Sequence, residues 1–429
     1  MSTPLRIGVV GCGRILNAHF RGWKILREKG IHSFRVTALC SRRMEDALMF
    51  RKRGEGPTPR APVSVNPADG LAADHHYVSD FQDDVLPSCH TDLNEILHDK
   101  LVDAVLIQTP HGLHHTQAIA CFENGVHVFI EKPLAVTVEA GRRMVDAARA
   151  NKCTLGVAEV VRFWVSTRAT YWAIHHGLIG SVQLYAHGGI GGHEWAPDVI
   201  VARTPWRLNK NMSGGGPSVD LGVHWFDLIR YWIGETDIVN GVTRQLEPKR
   251  FLRDEVGRVV EQAHVEVEDT FFANFTTVSG VIGQLMFSWS GHGAGAWIEG
   301  GPVIWGSKGC IKGGRLIFDD GMKADIDHYF RQHAPPALQE KYFPHGITDG
   351  FALQFLDFLQ AIQHGRDPEV SGEEGLKDLA AAYSILESSV AGEPIKVADV
   401  LSGKAAKYQR DVDRHYKLTR HGASAKSAG

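Results

Sequence analysis

Residues 5–10, LRIGVV, form an apolar run that stops at Gly11-Cys12-Gly13 and gives way to an amphipathic stretch reaching about Lys29. Few local patterns restrict a fold as much. A strand that turns through glycines straight into a helix leaves free backbone N–H groups at the helix N-terminus, where the dipole favours an anion. The first glycine permits the turn and the second lets a phosphate approach the backbone; the third position of the usual fingerprint holds Leu16. On its own this is equally a plain tight turn. The rest of the N-terminal half decides between the two, because it repeats the unit. FRVTALC (34–40), VDAVLIQTP (102–110), HVFIEKP (127–133) and TLGVAEV (154–160) are apolar runs joined by helical stretches. Uninterrupted apolar strands alternating with helices predict an α/β, doubly wound parallel sheet over residues 1–160. Gly11, Gly13, Arg14 and Ile15 then face a dinucleotide pyrophosphate.

The rhythm breaks between about 54 and 88, a Pro-, Gly-, Asp- and Ala-rich stretch expected as a surface insertion. After about Arg162, polar and apolar residues alternate in SVQLYAHGGI, HVEVEDTFFANFTT and VIGQLMFSWSG, as in antiparallel strands with one covered face. Helical segments at 219–233 and 351–364 interrupt them. Residues 161–400 are therefore expected as an α+β domain on a large, mostly antiparallel open sheet, and 401–429 as a basic, partly disordered tail.

Composition excludes several function classes. With Lys+Arg 46 against Asp+Glu 49, net charge −3, nothing global favours nucleic acid or a membrane surface as partner. Six scattered cysteines without a CxxC pair read as reduced thiols. MSTPLR runs directly into a strand, which is no secretory leader, and no stretch nears the ~18 apolar residues of a spanning helix. The expectation is a cytoplasmic protein.

Two places carry chemistry. At the end of the second strand an acid would hold the ribose of NAD, whereas Ser41-Arg42-Arg43 stands here, which suits the 2′-phosphate of NADP; NADP is expected over NAD. Glu131-Lys132-Pro133 closes an apolar strand at the sheet's carboxyl edge, where ligands of such sheets bind. In SGGGPSVDLGVHWFDLIRYWIG (213–234), glycines and a proline precede a helical pattern. Its spacing lets Asp220, His224 and Asp227 share one face. A histidine beside carboxylates suits proton transfer from a hydroxyl.

These pieces together resemble the Gfo/Idh/MocA oxidoreductases, over nearly the whole chain. GVVGCGRI resembles the family's cofactor turn, TPHGLHH its TPNxxH loop with His111 at the Asn position, and EKPLA its catalytic lysine motif. GGGPSVDLGVHWFD is similar to its GGGxxxDxGxHxxD helix, GSKG (306–309) to its GTKG turn, and residues 357–397 to its closing helices. The resemblance implies an NAD(P)-dependent dehydrogenase or reductase acting on a secondary hydroxyl of a sugar, glycoside or inositol-like polyol. It implies Lys132 as the residue touching substrate oxygen and nicotinamide, Asp220 as the substrate-orienting acid and His224 as the general acid/base. Thr109, Pro110, His114, Glu131 and Lys132 would adjoin the cofactor. Arg162, Trp206 and Arg207, with Asp220 and His224, would line the substrate pocket, where Trp195 and Trp206 could stack on a pyranose. The pattern departs from the family in the 54–88 insertion, in the loop GGIGGHEWAPDVIVARTPW, and at Ala158-Glu159-Val160-Val161.

No metal is expected, because the pairs His75-His76, His114-His115 and His175-His176 have adjacent, diverging side chains. No Ser or Cys nucleophile stands in a recognisable motif. Rival readings are a cofactor-dependent glycosidase working through transient oxidation and a non-catalytic nucleotide sensor. A homo-oligomer, dimer or tetramer, formed through the C-terminal sheet is expected.

Overall fold

The computed structural model describes residues 3–66, 69–191, 198–298 and 301–418. Its N-terminal part is a parallel sheet of β1 (Leu5–Val10), β2 (Phe34–Cys40), β3 (Ser88–His90), β4 (Ala104–Ile107), β5 (His127–Glu131) and β6 (Leu155–Ala158), in the order β3-β2-β1-β4-β5-β6. Helices α1 (Leu16–Glu28), α2 (Met44–Arg51), α3 (Leu93–His98), α4 (His111–Glu123) and α5 (Val138–Ala150) connect them. β4 and β6 are buried at every position, because helices cover both faces and the strands are apolar without alternation. The order reverses between β1 and β4, the crevice where open α/β sheets bind ligands.

The insertion is not a loose surface loop. Val78 is fully buried, and the Gln82 amide pairs with β2 by accepting from Val36 N (2.9 Å) and donating to Val36 O (2.9 Å). It thus satisfies backbone groups that β3 is too short to reach. Arg21 on α1 donates to the carbonyls of Gly70 and Ala72 and to Asp349 (2.9 Å), tying the insertion to the C-terminal half.

The second sheet has ten strands and is mixed: Val182–Ile190 runs parallel to Ile282–Ser288 and antiparallel to Val303–Gly306. Helices Gly222–Trp232 and Gly372–Ala391 cover one face. The helix approaches so closely that a Cβ on Gly241 would sit 2.7 Å from the Ile385 carbonyl. The other face presents apolar rows set by the register: Ile282 and Trp305 flank Leu184, and Val242 and Met286 flank Phe272. Leu184, Val242, Phe272, Ile282 and Trp305 are all exposed. Trp23 of α1 stacks on Phe355 of helix Gly350–His364 with centroids 4.4 Å apart, joining both halves in one core.

The tail expectation is corrected as far as Leu418. Residues 404–418 are folded, and Val412 and Leu418 are buried. Glu387 accepts from Tyr408 N and Gln409 N, Asp413 accepts from Thr137, the N-cap of α5 (2.6 Å), and Tyr416 donates to the Asn211 carbonyl (2.8 Å). Basic residues concealed a spaced apolar set that packs inward. Residues 419–429 lie outside the described part.

Candidate active site

The phosphate turn has the geometry the glycines require. Gly11 has φ +97°, and a Cβ there would meet the Gln108 carbonyl at 2.7 Å. A Cβ on Gly13 would meet nothing within 4 Å, so the space above the α1 N-terminus is open. These features fit a dinucleotide pyrophosphate. Ile15 is the N-cap of α1, and Leu16, where a third glycine was sought, is buried beneath the turn. Arg14 donates to the carbonyls of Ala61 (2.9 Å) and Pro62, while Arg60 donates to the Cys12 carbonyl (3.0 Å). The insertion therefore straps the rim of the turn.

At the end of β2, Ser41 N is bonded to the His90 carbonyl (3.1 Å). Arg43 grips Asp46 through Nε (3.1 Å) and Nη2 (2.8 Å), and Arg60 reaches the same carboxylate. Arg43 is thus held in an intrachain fork; Arg42 is exposed and makes no ion pair among the described residues.

Thr109 and Pro110 lead into α4, with Thr109 Oγ1 donating to Gln117 (2.6 Å). His114 does not face the cleft. Its fully buried ring lies between the carbonyls of Thr109 (Nε2, 2.9 Å) and Pro133 (Nδ1, 3.1 Å), and burial pushes its pKa down. The ring bridges the two carbonyls and so fixes the spacing of the two turns. Glu131 is bonded to His19 of α1 (2.6 Å), which anchors the end of β5.

Lys132 projects from that end toward the glycine-rich segment. The helical pattern breaks at Leu221, between Pro217–Asp220 and Gly222–Trp232. The Asp220 carbonyl near this break accepts from Lys132 Nζ at 2.7 Å. Lys132 Nζ also lies 3.3 Å from Asp220 Oδ1, and Arg207 Nε lies 3.4 Å from Oδ2. Burial works against the Asp220 carboxylate, but the charges of Lys132 and then Arg207 outweigh it and hold the group well below the usual range. Arg207 stacks over Trp206 (4.5 Å), whose ring also meets the edge of His111 (4.8 Å). His111, at the family's Asn position, is buried and donates to the Ser213 carbonyl (3.0 Å).

His224 departs from the single-face expectation. Its Nδ1 is bonded to Glu159, which follows β6, and not to a neighbour on its own helix. Asp227 points elsewhere: it is fully buried and takes Arg162 through Nε (3.1 Å) and Nη2. Arg162, itself buried and also near Glu374 (3.6 Å), is engaged in an interior ion-pair network. The glycine run, Lys132, Trp206, Arg207, Asp220 and His224 are brought together; Arg162 and His114 support them from behind. Trp195 lies outside the described residues. Local reading missed Glu159, Asp46 and Arg60. Only Glu159 carried a signal, as an acid after an apolar strand where the family pattern differs.

The comparisons show the family and the fold. The model of the Gfo/Idh/MocA oxidoreductase family, NAD-binding Rossmann fold, matches residues 5–159, and that of its C-terminal alpha/beta domain matches 173–397. The chain is 30% identical over 229 residues to a levoglucosan dehydrogenase of Pseudarthrobacter phenanthrenivorans, covering 52% of this chain and 57% of that protein, a little over half its length. It is 23% identical to the myo-inositol 2-dehydrogenase of Thermotoga maritima over 92% of this chain and 100% of that one. A levoglucosan dehydrogenase solved in complex with NADH superposes with TM-score 0.69 at 21% identity, covering 92% of this chain and 99% of that one, and so shares the fold. Among the described residues no helix is long and apolar enough to cross a membrane, and no group of three or more His, Cys, Asp or Glu is placed to hold a metal ion. With family models matching both halves and a phosphate turn of the required geometry, the chain belongs to the Gfo/Idh/MocA family and is an NAD(P)-dependent oxidoreductase.

Proposed function

We propose that the enzyme moves a hydride between nicotinamide and a secondary carbinol carbon of a sugar, glycoside or inositol-like polyol. One observation carries the reading. Lys132, at the carboxyl end of a parallel strand, meets Asp220, whose other carboxylate oxygen takes Arg207, beside a partly open His224 ring. The bound cofactor supplies a two-electron hydride acceptor or donor; everything else falls to the protein. Lys132, paired with Asp220, stabilises negative charge developing on the substrate oxygen. His224 Nε2 takes the hydroxyl proton in oxidation and returns it in reduction. Asp220, kept ionised, accepts from a neighbouring substrate hydroxyl, and Arg207 donates to another. A polyhydroxylated substrate suits a site of fixed ionic donors and acceptors around one aromatic face, that of Trp206.

Nicotinamide absorbance, followed with both cofactors across pyranoses, methyl glycosides and inositols, tests this. Turnover with one of them supports it. Cleavage of a glycoside or loss of water with no net change in absorbance replaces it by the transient-oxidation reading. Cofactor binding with no reaction of any compound leaves the nucleotide sensor.

The preference for NADP rests on Arg42, since Arg43 is occupied by Asp46. Arg42→Ala is expected to lower kcat/KM with NADP by about tenfold and leave NAD within about twofold. Equal losses with both cofactors would remove Arg42 from the 2′-phosphate. Self-association is read from the apolar rows on the open sheet face, with a second copy of the chain as occupant. Phe272→Glu places a charge mid-row and is expected to yield monomers in light-scattering chromatography; an unchanged mass would move the interface elsewhere.

A further inference from the structure

We propose that Glu159 is the positioning residue of His224, and that the two act as one proton-carrying unit in which a proton gained at Nε2 is matched by one passed from Nδ1 to the Glu159 carboxylate. The inference rests on His224 being the acid/base. Its geometric basis is independent of any substrate. Glu159 is 2% exposed, and its carboxylate is bonded to the His224 Nδ1, which leaves Nε2 as the ring nitrogen able to reach a ligand. Its backbone is held at the turn after β6, where Glu159 N donates to the Val157 carbonyl (2.9 Å) and its own carbonyl accepts from Arg162 N (3.2 Å). The carboxylate therefore sits on a rigid element and sets both the ring's orientation and its tautomer.

The charged groups around the pair are Lys132 and Glu131 from β5 and its turn, Arg162 from the turn after β6, Asp220 before the helix, and Asp227 on it. Burial, then Asp227, pushes Glu159 up against the opposing pull of Lys132 and Arg162. Burial, then Lys132, pushes His224 down. Both directions favour the uncharged couple, a carboxylic acid against a neutral imidazole. That form has one proton to give: Nε2–H goes to the substrate oxygen as the Glu159 O–H goes to Nδ1, which serves reduction. The form left behind, carboxylate against Nδ1–H with a free Nε2 lone pair, serves oxidation. In that direction the substrate C–H leaves as hydride with its electron pair to the oxidised nicotinamide, and the substrate O–H breaks as Nε2–H forms. Nδ1–H breaks as Glu159 O–H forms. Ketone and reduced cofactor result, with one extra proton on the pair, and that proton departs through the open edge of the ring. Asp220 cannot share this task, because Lys132 and Arg207 keep it ionised. The two buried acids beside one histidine thus have their titrations driven apart, one as a fixed anion and one as a proton acceptor.

The test is a pH profile of the full-length protein with saturating cofactor, using methyl β-D-glucopyranoside or myo-inositol, whichever is turned over. Glu159→Gln is expected to lower kcat by about 10²-fold with KM and cofactor affinity within about threefold. It should also shift the acid limb of kcat/KM for oxidation to lower pH by about one unit or more, because the amide cannot take the proton. Glu159→Asp keeps a carboxyl group and is expected to leave the limb near its original position. An unmoved limb in Glu159→Gln overturns the proposal, whether kcat is retained or falls together with cofactor affinity. His224→Asn and Lys132→Ala serve as references. If they retain turnover, the underlying site assignment fails; if they abolish it while the Glu159→Gln limb stays put, only the proton-sharing role of Glu159 fails.

Discussion

Lys132→Ala is expected to lose at least about 10³-fold in kcat while cofactor affinity stays within a few fold. The ammonium has three donors, and the structure uses two on one residue: the Asp220 carbonyl at 2.7 Å and Oδ1 at 3.3 Å. With two of three donors so used, one is left for a substrate oxygen. Removing the ammonium takes away the charge that stabilises alkoxide character and leaves Asp220 with Arg207 as its remaining ion-pair partner. The phosphate turn lies between β1 and α1, away from Lys132 in the chain, so cofactor titration by nicotinamide fluorescence should hardly change. Full turnover in Lys132→Ala would refute the site assignment. A parallel loss of cofactor affinity would mean that Lys132 serves binding more than the reaction.

Arg162→Ala is expected to lower stability by about 3–5 kcal/mol and to leave the substrate KM of the remaining folded enzyme nearly unchanged. Burial opposes the guanidinium, but Asp227 more than restores it and raises its pKa. Without Arg162, the fully buried Asp227 loses its partner within the reach of Asp378, another buried acid. Urea unfolding with an unchanged m value measures the loss. The double variant Arg162→Met/Asp227→Leu should recover most of it, because an apolar pair has no charge to strand. A large rise in KM with little change in the urea midpoint would instead return Arg162 to the substrate pocket.

What the sequence by itself determined follows from local periodicity. Uninterrupted apolar runs ending in GCG, TPH and EKP specify buried parallel strands whose carboxyl ends carry the turns. A glycine at φ +97° and a lysine at a strand end are consequences of such a run wherever it occurs in the chain. Lys132 and the glycines of the phosphate turn were legible for that reason; Asp220 was legible from its helical spacing to His224, and Trp206 and Arg207 only from the family resemblance. Tertiary structure alone decided the partners. Helix spacing put Asp220, His224 and Asp227 on one face, yet Lys132 takes the Asp220 carbonyl at the break after it, Arg162 draws Asp227 away, and Glu159, 65 residues distant in the chain, takes the histidine. The strap at 60–62 and the folded segment to Leu418 likewise depend on carbonyls and carboxylates far away in sequence. A buried charge accepts whichever counter-charge the packing of other elements delivers, and no local spacing encodes that choice.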